Sequence, residues 1–417
     1  MKKILAFWLT LSIALFISCN SNSENTDTDQ ELYRNLFAEI GYSRNDIREK
    51  VDRTFNQLFF GDKETEAVYF EAGENENGKL AYIADINNMD IRSEGMSYGM
   101  MIAVQMDKKE IFDALWNWSK TYMYHSDSQH PVYGYFAWSL STDGVPNDEM
   151  PAPDGEEYYA TALYFASVRW GDGKGIFDYK KEADELTANM RNREAITGTV
   201  KGREVTGLSL FDREHTMVRF TPDNVNAAHT DASYHLPAFY EVWATKGPEG
   251  DRAFWKKAAD VSRDYLEKAA NQNTGLVSDY GNFDGTPWNA PWNPNSATFC
   301  YDAWRTAMNW SVDWSWWKKD KRAVIRSNRL LDFFASEGLG TYGLQYSLDG
   351  KKLKDGQPVG LKACNAVAAL AADTKMAPEF VKAFWQCEIP TGRYRYYDGM
   401  LMMMSLLHCS GEFKMYL

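Results

Sequence analysis

Apolar residues recur at spacings of three and four through almost the whole chain, and this period restricts its fold more than any other feature. In 107–123 they are Ile111, Leu115, Trp118 and Tyr122; in 155–170 they are Tyr159, Leu163, Ala166 and Trp170. Such spacing lays one apolar stripe along a helix. Similar patterns occupy 44–60, 91–106, 178–193, 231–245, 251–270, 300–317, 321–336, 359–373, 376–387 and 397–409, which makes twelve candidate helices. Strand signals are short, near 67–71 and 80–84. No repeat of fixed period is present, so a regular solenoid is disfavoured. No Pro/Ser/Gly-rich linker interrupts the chain beyond residue 30. Twelve helices paired by loops predict an all-α fold, a single α/α toroid.

The N-terminus reads differently. Met1-Lys2-Lys3 is basic, Ile4 to Ile17 is apolar, and Ser18-Cys19 follows. The run is short for a membrane span and has the flanks of a signal peptide. Leu15-Phe16-Ile17-Ser18-Cys19 resembles a bacterial lipobox, which predicts a lipoprotein-type signal over 1–18 with Cys19 as the lipidated residue. Residues 19–30 are polar and read as a flexible tether, leaving 31–417 as the folded domain. The expected location is therefore outside the cytoplasm, anchored to the cell envelope, with membrane contact only through the lipid. Cys300, Cys364, Cys387 and Cys409 lie far apart in apolar contexts and read as buried thiols; export permits a disulfide that spacing cannot assign.

A net charge of −13 disfavours nucleic acid as a partner, because phosphate binding rests on basic footprints. The aromatic content, 15% with 15 Trp and 24 Tyr, exceeds what an ordinary core asks for and leans towards carbohydrate, since aromatic faces stack on sugar rings. Three loops carry a carboxylate beside Gly, Pro or Asn at or near a helix start: 87–94, 151–155 and 282–288. One such Asp is an ordinary N-cap; three suggest a carboxylate-lined cleft. Gly95-Met96-Ser97-Tyr98-Gly99 fits the nucleophile elbow of serine hydrolases, but the polar run before it is no strand, and small residues that let two helices approach explain it better. Gly171 to Gly175 is a turn and not a phosphate cradle. The six His residues include no H-E-x-x-H and no aspartate run matches a calcium loop, so neither a metal nor another cofactor is implied.

Glycoside cleavage needs one protonated carboxyl to serve the leaving oxygen and one carboxylate as nucleophile or base. Glu94 suits the acid: Met96, Tyr98, Met100 and Met101 reduce its solvation, although Arg92 opposes this. Asp284, between Phe283 and Gly285, has the small neighbour that a base beside a sugar needs.

At these residues the chain resembles glycoside hydrolase family 8, and within it the reducing-end xylose-releasing exo-oligoxylanases. The resemblance runs from about Tyr33 to Leu417. It rests on Asp90 to Met101, Gly134 to Ser139, Pro151 to Tyr158, Ser233 to Pro237, Tyr280 to Pro287, Tyr301-Asp302-Ala303-Trp304-Arg305 and Arg395-Tyr396-Tyr397-Asp398. It implies an (α/α)6 barrel over 31–417 and an inverting mechanism without cofactor on β-1,4-xylo-oligosaccharides. It also implies roles: Glu94 general acid, Asp284 general base, Asp154 a carboxylate holding the sugar, Tyr234 near the attacking water, and Arg305 supporting the base. Arg92, Trp138, Trp288 and Gln357 are expected to contact substrate, with Trp292 beside them. One departure stands out. The exo-acting group is expected to have His before Pro-Val-Gly-Leu, where this chain has Gln357. Endo-acting members, cutting xylan, glucan or chitosan, are the alternative; a noncatalytic glycan-binding protein on the same fold is the rival from another class.

Overall fold

The computed structural model describes residues 33–417. The proposed signal, Cys19 and the tether lie outside them. All twelve expected helices are present. They are α2 (Arg44–Phe60), α3 (Ser93–Gln105), α4 (Lys109–Trp118), α5 (Pro153–Trp170), α6 (Tyr179–Asn192), α7 (Pro237–Lys246), α8 (Arg252–Ala269), α9 (Ala303–Trp317), α10 (Arg322–Ser336), α11 (Val359–Ala368), α12 (Ala377–Trp385) and α13 (Arg395–Cys409). A one-turn helix that periodicity is too short to show, α1 (Leu36–Glu39), precedes them.

The helices form two concentric rings. In the inner ring α3 packs on α5, α5 on α7, α7 on α9, α9 on α11, α11 on α13, and α13 closes back on α3. Outside them α4, α6, α8, α10 and α12 each pack on the inner helix they follow, and α2 packs on α13. This is the (α/α)6 barrel. The two rings differ in a way one stripe per helix does not describe. Outer α8 buries one face, through Trp255, Ala258, Ala259, Ser262, Tyr265, Leu266 and Ala269. Inner α5 is buried without a break from Pro153 to Ala166, as a helix surrounded by helices must be.

Strands are more extensive than expected. The two short signals become β1 (Tyr69–Asn75) and β2 (Gly78–Asp85), and β3 (Asp90–Arg92), β4 (Ser139–Ser141) and β5 (Pro146–Asp148) extend them into an antiparallel sheet of order β1-β2-β3-β4-β5. Beyond it lie the hairpin β6 (Ile196–Val200) and β7 (Arg203–Gly207), the pair β8 (Phe211–Asp212) and β9 (Met217–Val218), and β10 (His229–Asp231), which pairs with β11 (Tyr280–Asn282). Last come β12 (Gln345–Tyr346) and β13 (Lys352–Lys354). Among the described residues the four cysteines are unbridged; Cys300, Cys364 and Cys409 are buried.

Candidate active site

One end of the barrel opens into a cleft of about 1420 Å³. Every inner helix begins there. Glu94 of α3, Asp154 of α5, Tyr234 just before α7, Asp302 at the start of α9, Pro358 before α11 and Tyr396 to Asp398 of α13 all line it. Helix N-termini present unpaired N–H groups and a partial positive charge, so this end of the barrel suits carboxylates and hydroxyl-rich ligands. The rim adds exposed or half-buried rings: Trp138, Phe220, Trp292, Tyr301, Tyr394 and Tyr397.

Arg305 organises the floor. It lies on the first turn of α9, is 2% exposed, and gathers three carboxylates. Its Nη1 lies 2.8 Å from Asp154 Oδ2 and 3.2 Å from Glu94 Oε2. Its Nη2 lies 2.9 Å from Asp302 Oδ1. Nη1 also donates to the Tyr98 hydroxyl. Asp302 and Arg305 are three residues apart on one helix face, which is why both reach the same point.

Glu94 is the one residue of α3 that is not fully buried. Its Oε1 accepts a bond from the Tyr396 hydroxyl at 2.9 Å. Burial pushes its carboxyl up to about 7; Arg305 opposes the shift, and Asp154 and Asp302 add to it. The glycines after it are explained by packing. A Cβ on Gly95 would meet the Tyr396 ring at 2.7 Å, and one on Gly99 would meet Ile83 and Leu115 at 2.9 Å. The serine-hydrolase pattern is thus a close helix approach, and Ser97 Oγ is spent on the Glu94 carbonyl.

Asp154 sits in the first turn of α5, which Pro153 opens with its fixed φ. Its Oδ1 accepts from the Gly155 amide at 3.0 Å. Burial raises its carboxyl above the usual range, against the pull of Arg305. Tyr234 closes the turn Ala232–Tyr234 and lines the cleft beside Phe220 and Tyr280. Arg92 pairs with Asp90 at 3.1 Å and Asp85 at 3.3 Å, and its guanidinium lies 5.5 Å from the Trp138 ring centre, so both reach the cleft as one unit.

Three expected site residues do not reach the cleft. Asp284 lies exposed in the turn after β11, where it accepts from the Thr286 amide at 2.9 Å and the Thr286 hydroxyl at 2.6 Å. It caps its own turn, and those bonds from Thr286 lower its carboxyl. Trp288 is buried, with one face stacked on His229 at 3.7 Å. Its neighbour Trp292 lines the cleft and is 54% exposed. Gln357 turns to backbone, its Nε2 donating to the Leu339 carbonyl at 3.1 Å; Leu344 and Pro358 take the cleft wall there.

Of the further acids that line the cleft, Asp302 and Asp279 lie at the Arg305 cluster, and neither is among the expected site residues. Asp302 has 29% of its side chain open to solvent and accepts from the Tyr397 hydroxyl at 3.2 Å in addition to Arg305. Asp279 is 2% exposed, and its Oδ1 accepts from the Asp302 amide at 3.1 Å. The signal for Asp302 lay in Tyr301-Asp302-Ala303-Trp304-Arg305, where an acid precedes an arginine by one helical turn.

The chain belongs to glycosyl hydrolase family 8. It matches the family described as Glycosyl hydrolases family 8 over residues 73–411, and it is a glycosidase. It is 40% identical over 390 residues to the reducing-end xylose-releasing exo-oligoxylanase Rex8A of Paenibacillus barcinonensis, covering 93% of this chain and 98% of that one. It is 41% identical over 388 residues to the reducing end xylose-releasing exo-oligoxylanase of Halalkalibacterium halodurans, covering 92% and 94%. Among solved structures, a family 8 enzyme of Teredinibacter turnerae in complex with xylobiose superposes with a TM-score of 0.91 at 59% identity, covering 92% of this chain and 98% of that one. A catalytic mutant of the Teredinibacter turnerae xylanase has been solved with xylohexaose.

Proposed function

We propose that this protein hydrolyses β-1,4-xylo-oligosaccharides with inversion, releasing xylose from the reducing end, and that Glu94 and Asp302 carry the reaction. The carrying observation is the cluster around Arg305, in which a desolvated Glu94 and a solvent-open Asp302 reach different nitrogens of one guanidinium. Glu94, protonated to near neutrality, gives its proton to the glycosidic oxygen as the bond to the anomeric carbon breaks. Asp302 takes a proton from the water that attacks the opposite face, so the new C–O bond forms with inversion. Asp154 holds the sugar at the cleavage point and Tyr234 orients the water. The exo-oligoxylanases at about 40% identity over nearly their full length support the substrate and the mode of release.

A second reading, endo-acting cleavage of xylan, has a specific observation behind it. The 59% identical neighbour is a xylanase solved with xylohexaose, and Gln357 replaces the expected histidine with a side chain that points to backbone. Early products from xylotriose and xylohexaose separate the two. Reducing-end release predicts xylose plus a chain one unit shorter from the first turnover. Xylobiose, xylotriose and xylotetraose appearing together from the hexamer before xylose would instead establish endo action.

The same reading extends to location: export, with Cys19 lipidated and the barrel outside the cytoplasm. The support is the run Leu15-Phe16-Ile17-Ser18-Cys19 after a short apolar stretch. Labelled fatty acid is expected on the wild-type protein and lost in Cys19→Ser. Equal labelling of both would remove the anchor from the account.

A further inference from the structure

Glu157 follows Glu156 in the fully buried part of α5 and is itself 0% exposed. Its Oε1 is 2.5 Å from the Tyr240 hydroxyl, and its Oε2 has no hydrogen-bond partner among the described residues. Tyr240, on α7, is also 3.0 Å from the backbone carbonyl oxygen of Tyr234. A tyrosine hydroxyl carries one proton, and a carbonyl oxygen only accepts. That one proton can serve the Glu157 carboxylate or the Tyr234 carbonyl but not both, so both contacts are hydrogen bonds at once only when Glu157 carries a proton of its own and donates it to Tyr240. The surroundings agree. Burial drives the Glu157 carboxyl well above its ordinary range; the Tyr240 contact opposes this, Asp154 and Glu156 on the same helix add to it, and Arg305 of α9 opposes it least. Arg305 already serves Asp154, Glu94 and Asp302.

Tyr240 is one arm of a clamp on the segment that carries Tyr234. From α8, Ser262 Oγ lies 2.9 Å from His235 Nδ1, and His235 Nε2 lies 3.0 Å from Thr230 Oγ1. From α9, Asn309 Nδ2 donates to the Ser233 carbonyl at 2.6 Å. Glu157 brings α5 into the same clamp, so four helices, α5, α7, α8 and α9, set where the Tyr234 hydroxyl meets the cleft.

We propose that Glu157 is a neutral carboxylic acid that, through the Tyr240 hydroxyl, positions Tyr234 for hydrolysis. It is a positioning residue, since it touches no substrate, and the proposal rests on the reading of Tyr234 as the group that orients the attacking water. A buried acid with a purely structural role would lower stability and leave the turnover of folded enzyme unchanged. With xylotriose, Glu157→Leu is expected to lower kcat about tenfold or more with KM within about twofold, because misplacing a positioning group costs turnover before binding. Glu157→Gln keeps a neutral donor and is expected to recover kcat to within about threefold of wild type. Tyr240→Phe should match Glu157→Leu, and the double variant should be no worse than either, as expected for residues acting as one unit. A measurement free of substrate stands beside these. The infrared difference between wild type and Glu157→Gln at neutral pH should contain the carbonyl stretch of a protonated carboxyl. Carboxylate bands in its place, a glutamine variant as impaired as the leucine one, or unchanged kcat in folded Tyr240→Phe would each overturn the proposal. Wild-type enzyme inert towards xylotriose would overturn the functional reading alone, while the infrared difference would still decide the state of Glu157.

Discussion

Asp302→Ala is expected to lower kcat on xylotriose by about three to four orders of magnitude, the upper part of what a positioned general base contributes. The loss follows from geometry. Asp302 is the cleft-facing carboxylate that is open to solvent and paired to the guanidinium that also holds Glu94 and Asp154. Asp284→Ala is the control. Its carboxylate is bonded to Thr286 of its own turn, so this variant should keep activity within about twofold and lose only part of a turn cap, a matter of about 1 kcal/mol. Steady-state kinetics of the two folded variants checks both statements. The opposite ranking would return the base to the β11 turn.

Glu94→Gln is the second large effect, about a thousandfold on xylotriose, since an amide cannot give the leaving oxygen a proton. The pH profile carries the sign. With its carboxyl pushed up to about 7 by burial, Glu94 stays protonated through mildly acid pH and loses its proton as pH rises through 7, so kcat/KM of the free enzyme should fall on that basic side. Arg305 works against the shift, so Arg305→Met should move the basic limb upward. In Glu94→Gln the basic limb should vanish from the residual rate. A thousandfold loss that keeps the same limb would assign the titration to another group.

Much of the fold is legible in the chain because apolar spacings of three and four recur through its helical segments, most sharply in outer helices such as α8, and period is a signal that tertiary context seldom erases. What period does not carry is the ring each helix joins. Helix α5 shows Tyr159, Leu163, Ala166 and Trp170 at helical spacing, yet up to Ala166 its other faces are buried too, because Ala, Gly and two consecutive acids, Glu156 and Glu157, fill them. The sheet is faint in sequence for a related reason: β3, β4 and β5 are three residues each, too short to show alternation.

The site divides the same way. Glu94 is legible because the apolar residues that follow it in α3 announce the burial that raises its carboxyl, although its direct partners, Arg305 and Tyr396, come from far along the chain. Asp284 misleads because an Asp before Gly reads alike whether it faces a cleft or caps its own turn. Burial and partners separate the cases, and neither is written in local sequence. Asp302 is distinguished by Arg305 one helical turn later, a relation between two residues and not a property of either. Trp288 and Trp292 form the same lesson in miniature. Both follow proline, and His229, brought from β10, covers the first and leaves the second to the cleft.

The central claim is direct attack of a water activated by Asp302 on a glycoside protonated by Glu94, with no covalent sugar on the enzyme. Proton NMR during the first minutes of xylotriose hydrolysis tests it most directly, because the anomer formed at the new reducing end records the face of attack before mutarotation erases it. A single inversion at a β-linkage predicts the α-anomer first, with β growing in afterwards. A β-anomer as the first product would contradict the assignment of Glu94 and Asp302 and the inverting mechanism together.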